Sequence, residues 1–253
     1  MPTYNAEGVV VRVRDLNDTD KVLHILTREY GKLRCVARAA RRPKSRFTPA
    51  AQLFNHLHFQ AYTGRNLDTL TQVEILSSFP GLREDLVRIA AATYACELVD
   101  EMAQERQPLE PVFDLLLTAL RLLATPEMPV EPVLRGYELK LLALMGFQPV
   151  LTGCLACGAP VEGSEVYFSP GAGGVVCRRC APEAGALRVL PRAAVEAMRF
   201  LLEGDLRRAH VLRYSPEVGS SMARALEQYL EYRLERRLRS LDFLQQVMET
   251  AGR

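Results

Sequence analysis

Two periodicities divide this chain. In residues 1–80, apolar side chains recur at every second position. Val9, Val11 and Val13 alternate with Val10, Arg12 and Arg14, and Leu33, Cys35 and Ala37 alternate with Arg34, Val36 and Arg38. A short apolar run at 22–27 sits between them, and Glu29-Tyr30-Gly31-Lys32 supplies a hairpin turn. Leu53, Leu57 and Phe59 alternate with Phe54, His56, His58, Gln60 and Tyr62, and a fifth stretch spans 67–76 after the turn Thr63-Gly64-Arg65-Asn66. Period 2 puts successive side chains on opposite faces of a strand. Five short strands separated by turn signals predict a small barrel or sandwich, and a five-stranded Greek-key OB barrel is one of few such folds this small.

After Pro80 the spacing becomes helical. In 82–104, Leu86, Ile89, Ala90, Thr93, Tyr94, Glu97 and Leu98 trace one mostly apolar face. Residues 111–123 form a second helix, with Pro111 in its first turn. Residues 131–145 form a third, closed by Gly146 and followed by Pro149. Another helix starts at Pro191. The last spans 216–247 as one long helix, because Met222, Leu226, Leu230, Leu234, Leu238, Leu241 and Leu244 fall three or four apart. The reading is an α+β protein: an N-terminal five-stranded OB-type β-barrel over 1–80, then an α-helical domain over 81–253.

A zinc module interrupts the helices at 152–182. Cys154 and Cys157 form one C-x-x-C step, Cys177 and Cys180 a second, with nineteen residues between them. That is the spacing of a four-cysteine zinc site, in which two tight turns aim four thiolates at one Zn²⁺. Gly158 suits the turn after the first pair. Four sulfurs fill the coordination sphere, so the site is structural. Arg178 and Arg179 can offset its negative charge. Two disulfides instead would need an oxidising compartment, and the N-terminus lacks the basic and apolar regions of a secretory signal. Gly171-Ala-Gly-Gly174 reads as a hairpin tip between the knuckles. Cys35 and Cys96 read as small buried hydrophobes.

Composition is that of an ordinary globular chain, 48% hydrophobic and 25% charged over 253 residues. Its apolar runs are too short to cross a membrane. The expected location is the cytoplasm. Net charge is only +2, but residues 1–80 hold twelve Lys/Arg against seven Asp/Glu, and residues 28–46 hold eight basic residues and one acid, Glu29. Such asymmetry points to nucleic acid or another polyanion. Arg34, Arg38, Arg41, Arg42, Lys44 and Arg46 are therefore the candidate DNA-binding residues, since their cations release counterions from phosphates. Phe47, Phe54 and Tyr62 are candidate rings for stacking on unpaired bases, with packing under the loop the alternative for Phe47 and Phe54.

Catalytic signatures are missing. The chain has no G-x-x-x-x-G-K-[ST], H-E-x-x-H or G-x-S-x-G. No catalytic residue is assigned, and a protein without enzymatic activity is expected. His56 and His58 share a strand face and read as surface residues; a hydrolase using them as a metal site is a rival reading. Asp15, Asp18 and Asp20 read as a turn between strands. A second rival is a zinc-ribbon protein-interaction factor associated with transcription or the ribosome.

The order of several blocks carries a resemblance. Gly8-Val9-Val10-Val11, Asp20-Lys21-Val22-Leu23, 26–32 (LTREYGK) and 39–46 (AARRPKSR) lead the chain. Then 135–142 (RGYELKLL) and Gly146-Phe147-Gln148-Pro149 run into Cys154-Leu-Ala-Cys157-Gly158, and 237–244 (RLRSLDFL) close it. The whole chain resembles the RecO family of bacterial recombinational repair proteins. The resemblance implies an OB domain, a helical domain, and zinc ligands matching Cys154, Cys157, Cys177 and Cys180. It implies binding of single- and double-stranded DNA, annealing of complementary strands and help in loading RecA, within the nucleoid. The implied partners are RecR, the single-stranded DNA-binding protein and, often, RecF. Where the family's basic loop often opens on a Gly-rich turn, this chain has Arg38-Ala39-Ala40.

Overall fold

A computed structural model describes residues 2–251. The N-terminal strands are β1 (Thr3–Asp15), β2 (Lys21–Thr27), β3 (Gly31–Ala37), β4 (His56–Tyr62) and β5 (Asp68–Ser77). They form a closed barrel in the order β1-β2-β3-β5-β4. Neighbours are antiparallel except β3 and β5, which pair in parallel at Cys35–Asp68 and Val36–Thr69. The long β1 makes closure geometrically feasible. Its first half pairs with β4 and its second half with β2, and Gly8 serves both ladders. A methyl on Gly8 would lie 2.5 Å from Ile25 Cγ2, so the bend needs glycine. A register shift between Val10 and Arg12 breaks strict alternation. Val9, Val10 and Val11 are consequently all buried.

The strand expected from Leu53 starts later, at His56. Phe54 adopts a left-handed backbone (φ 74) and cannot continue a ladder, although its N–H still donates to the Val10 carbonyl. The β3–β4 connection, 38–55, folds against the barrel instead. Its Ala40, Phe47, Ala50 and Ala51 join Leu23, Ile25, Leu33, Leu57, Phe59 and Leu70 in one core.

Among the described residues, six α-helices follow: α1 (Leu86–Met102), α2 (Glu110–Leu123), α3 (Val130–Leu144), α4 (Arg192–Glu203), α5 (Pro216–Leu234) and α6 (Arg239–Ala251). Asp85 caps α1, accepting the N–H groups of Val87 (2.7 Å) and Arg88 (3.1 Å). Between α3 and α4, strands β6 (Glu165–Ser169), β7 (Gly174–Val176) and β8 (Arg188–Pro191) form an antiparallel sheet in the order β7-β6-β8. Residues 170–173 join β6 to β7 and Gly174 opens β7, which makes the 171–174 segment a hairpin tip. The chain divides into two compact units. One holds residues up to Pro126 together with those from Arg239 onward; the other is Glu127–Leu238.

The long C-terminal helix expected over 216–247 is two helices. Glu235 takes a left-handed backbone (φ 54), which ends α5. The apolar stripe continues at helical spacing across the break, so the sequence hid it. The restart at α6 is capped from α1, because Glu97 accepts both the N–H and the hydroxyl of Ser240.

Candidate nucleic-acid interface and metal centre

The basic segment 38–46 is pinned by its neighbours. Ala39 sits at φ 55, a conformation that glycine adopts more readily, so this chain keeps the geometry of a glycine turn without the glycine. Its N–H donates to Asp20 Oδ1 at 2.8 Å. The N–H of Arg41 donates to the Thr19 carbonyl, and the Arg41 guanidinium to the Asn17 carbonyl, both at 3.0 Å. The Ala39 N–H, with Asn17 and Thr19, holds the Asp20 carboxyl below its ordinary range. Asp20 therefore works as a clamp between the β1–β2 turn and the basic loop. On the other side, Arg38 donates to the Tyr62 hydroxyl at 3.2 Å, and Arg46 to the Thr71 carbonyl at 2.5 Å.

The six predicted cations are exposed but differ in their partners. Arg42 and Lys44 have no side-chain hydrogen bond or ion pair among the described residues. Arg38 and Arg46 hydrogen-bond only neutral oxygens, and neither forms an ion pair among the described residues. Arg41 lies 3.5 Å from Asp15, and Arg34 pairs with Glu105 at 2.8 Å. Such exposed pairs are worth about 0–1 kcal/mol and yield easily to phosphate. Three other basic residues of the N-terminal region are occupied by the helices. Arg28 bridges Glu110 and Asp114 at 2.7 Å each, and Arg12 and Lys32 face Asp100.

Of the three candidate rings, two are corrected. Phe47 and Phe54 are buried, so neither can stack on a base; Phe47 belongs to the barrel core because the loop folds inward there. Tyr62 remains half-exposed. Two cations escaped the sequence reading. Lys21 pairs with Ala37, the residue before Arg38, and the exposed Arg65 lies in the turn just after Tyr62. Neither stands in a charge run; Lys21 reaches the loop through the β2–β3 ladder, and Arg65 follows Tyr62, whose hydroxyl accepts from Arg38. His56 is likewise not on the surface. It is buried, 2.8 Å from Glu7 and 6.1 Å from the Phe113 ring, and burial lowers its pKa despite Glu7. His58 is exposed.

Cys154, Cys157, Cys177 and Cys180 converge, with all four sulfurs within 4.8 Å of one another. The Cys157–Cys177 sulfurs are 3.8 Å apart. A tetrahedron with metal–sulfur bonds of about 2.3 Å has edges of about 3.8 Å, whereas a disulfide needs about 2.05 Å. The quartet could hold a metal ion. Each pair sits on a tight turn: the Gly158 N–H donates to the Cys154 carbonyl at 2.8 Å, with Gly158 at φ 72, and the Cys180 N–H donates to the Cys177 carbonyl at 3.0 Å. Burial opposes ionisation of Cys154, but the N–H groups of Cys177, Cys157 and Ala156 prevail and bring it down to about 6. Cys180 is pushed up to about 12 by Cys177 and Cys157. A bound cation would favour the thiolate form of all four. Arg179 donates to Cys157, which raises the guanidinium pKa. Cys35 and Cys96 are buried and apolar-like, their thiols pushed up by burial, Cys35 to about 12.

Known proteins are similar to this chain over nearly its whole length. Residues 1–79 match the sequence model described as "Recombination protein O N terminal", and residues 83–242 the one described as "Recombination protein O C terminal". A protein named "DNA repair protein RecO" from Symbiobacterium thermophilum is 52% identical over 247 residues, covering 96% of this chain and 97% of its own. A namesake from Desulforudis audaxviator is 40% identical, covering 98% of each chain, and one from Anaeromyxobacter sp. (strain K) is 39% identical over the full length of both. The chain belongs to the RecO family of DNA repair proteins.

Proposed function

We propose that this repair protein is a recombination mediator that binds single- and double-stranded DNA through its barrel, anneals complementary strands and helps load RecA. The observation that carries the reading is the pinned loop. Among the described residues Arg42 and Lys44 have no competing carboxylate, while Arg38 and Arg46 are held by neutral acceptors beside them. A fixed cationic ridge neutralises phosphates without reading bases, and it screens the repulsion between two approaching backbones. Base pairing then selects the complement. This needs no bond-making chemistry, so the protein is not an enzyme in this reading. Arg34 and Arg41 join the ridge when phosphate displaces their exposed acids, and Lys21 and Arg65 extend it.

Zinc is the ion that suits four thiolates in a tetrahedron, and Cys154, Cys157, Cys177 and Cys180 would hold it as a closed structural centre. RecR, the single-stranded DNA-binding protein and RecF are the expected partners, at the nucleoid. The test is annealing of two labelled complementary strands, followed by energy transfer. The double variant Arg42→Gln/Lys44→Gln should anneal at least tenfold more slowly at the same protein concentration. An unchanged rate would remove the loop from the reaction.

A further inference from the structure

A second feature, far along the sequence from the basic loop, joins exposed aromatic rings to an uncompensated cation. Arg233, on α5, lies over three rings: Tyr229 at 4.9 Å, Tyr232 at 5.5 Å and Phe147 at 5.6 Å from its guanidinium carbon to the ring centres. No acidic side chain pairs with it among the described residues, and its buried Nε has no hydrogen-bond partner. The rings, not hydrogen bonds, hold the guanidinium in place. Tyr229 is buried and anchors the group by donating from its hydroxyl to the Phe147 carbonyl at 2.9 Å. Tyr232 and Phe147 are 57% and 39% exposed, which leaves ring surface open to solvent.

The β6–β7 turn is shaped around this group. A methyl on Gly171 would touch the Tyr232 ring at 3.5 Å, and one on Gly173, at φ 89, would sit 2.7 Å from Arg233 Nη2. The turn thus backs Tyr232 and Arg233 on one side. A ligand that satisfies the whole group must present a flat ring to Tyr232 or Phe147 and a negative charge to Arg233. An unpaired nucleotide does both, through its base and its phosphate. A duplex cannot, because its bases are stacked on each other.

The geometry points to Phe147, Tyr232 and Arg233 as a stacking site for an unpaired nucleotide, separate from the basic loop. This rests on the reading that the protein binds single-stranded DNA. Stacking is not ionic, so Tyr232 should set affinity without setting salt dependence. Tyr232 is exposed, and Tyr232→Ala should leave the fold intact. The experiment is binding of that variant and of the unaltered protein to a single-stranded oligonucleotide and to a duplex. It is paired with light-induced crosslinking to a single strand carrying 5-iodouracil, mapped by mass spectrometry. The expected result is about tenfold weaker single-strand binding (about 1.4 kcal/mol) with the same salt slope, unchanged duplex binding, and a crosslink at Tyr232 or Phe147. If the unaltered protein binds the single strand, the variant matches it and crosslinks fall only within residues 2–80, this site is wrong while the DNA-binding reading stands. If the unaltered protein binds no single strand, both fail together.

Discussion

Asp100 lies on α1 with only 2% of its side chain exposed, and it meets three basic groups of the barrel. Arg12 Nε is 2.8 Å away, His24 Nδ1 2.9 Å and Lys32 Nζ 3.5 Å. Lys32 also donates to the Asp100 carbonyl. Asp100→Asn keeps the size and removes the charge. Loss of one partner from a buried ion pair costs about 3–5 kcal/mol. Arg12 retains Glu101 at 2.6 Å, so the lower end applies, about 3 kcal/mol. For a protein of this size that corresponds to a fall in Tm of roughly 6–12 °C. The pH dependence has a definite sign. Burial raises the Asp100 pKa, but His24, Lys32 and Arg12 outweigh it and hold it below the ordinary carboxylate value. Its stabilisation is therefore complete above the unfolded value, about 3.9, and is lost as pH falls through the folded one. Urea denaturation of both proteins at pH 7 and again toward pH 3 measures this. The gap between them should be about 3 kcal/mol at pH 7 and should shrink in acid. A gap below about 1 kcal/mol at pH 7, where the buried pair is intact, would refute the assignment.

Phe47→Ala removes a buried ring that ties the basic loop to the barrel core, and should cost about 3–5 kcal/mol; a thermal melt showing less than 1 kcal/mol would place Phe47 outside the core. Ala39→Gly relieves a left-handed alanine and should stabilise the protein by up to about 1 kcal/mol. Destabilisation in denaturant would show that the φ is not what limits the turn. Elemental analysis should find one zinc per chain, and chelation should raise hydrogen exchange in 150–184 while protection in β1–β5 persists. Equal loss in both regions would mean that the metal supports the barrel directly.

What was legible in the sequence is what is local. Alternation of Leu33 with Arg34 and of Leu57 and Phe59 with His58 signals strands, and two C-x-x-C steps signal one site, because neighbouring residues carry both patterns. The left-handed residues Phe54 and Glu235 were not legible, since neither is glycine or asparagine. They shifted the start of β4 and split the last helix. Charge was legible as a sum but not as a distribution. Arg28 and Lys32 look like part of the basic run, yet carboxylates roughly seventy to ninety residues later neutralise them. Phe47 reads as a stacking ring because it directly follows the basic run, and only the inward fold of its loop buries it. The Arg233 group joins residues some eighty-six positions apart, which no spacing rule links.

In the proposed function the loop between β3 and β4 holds phosphates by charge alone. Equilibrium binding to single-stranded DNA across a salt series tests it most directly, with the unaltered protein beside Arg42→Gln/Lys44→Gln. Each phosphate contact contributes about −0.7 to the slope of log affinity against log salt on a single strand. Loss of two contacts should flatten the slope by about 1.4 and weaken binding to every sequence alike. An unchanged slope, with the variant folded, would contradict the account.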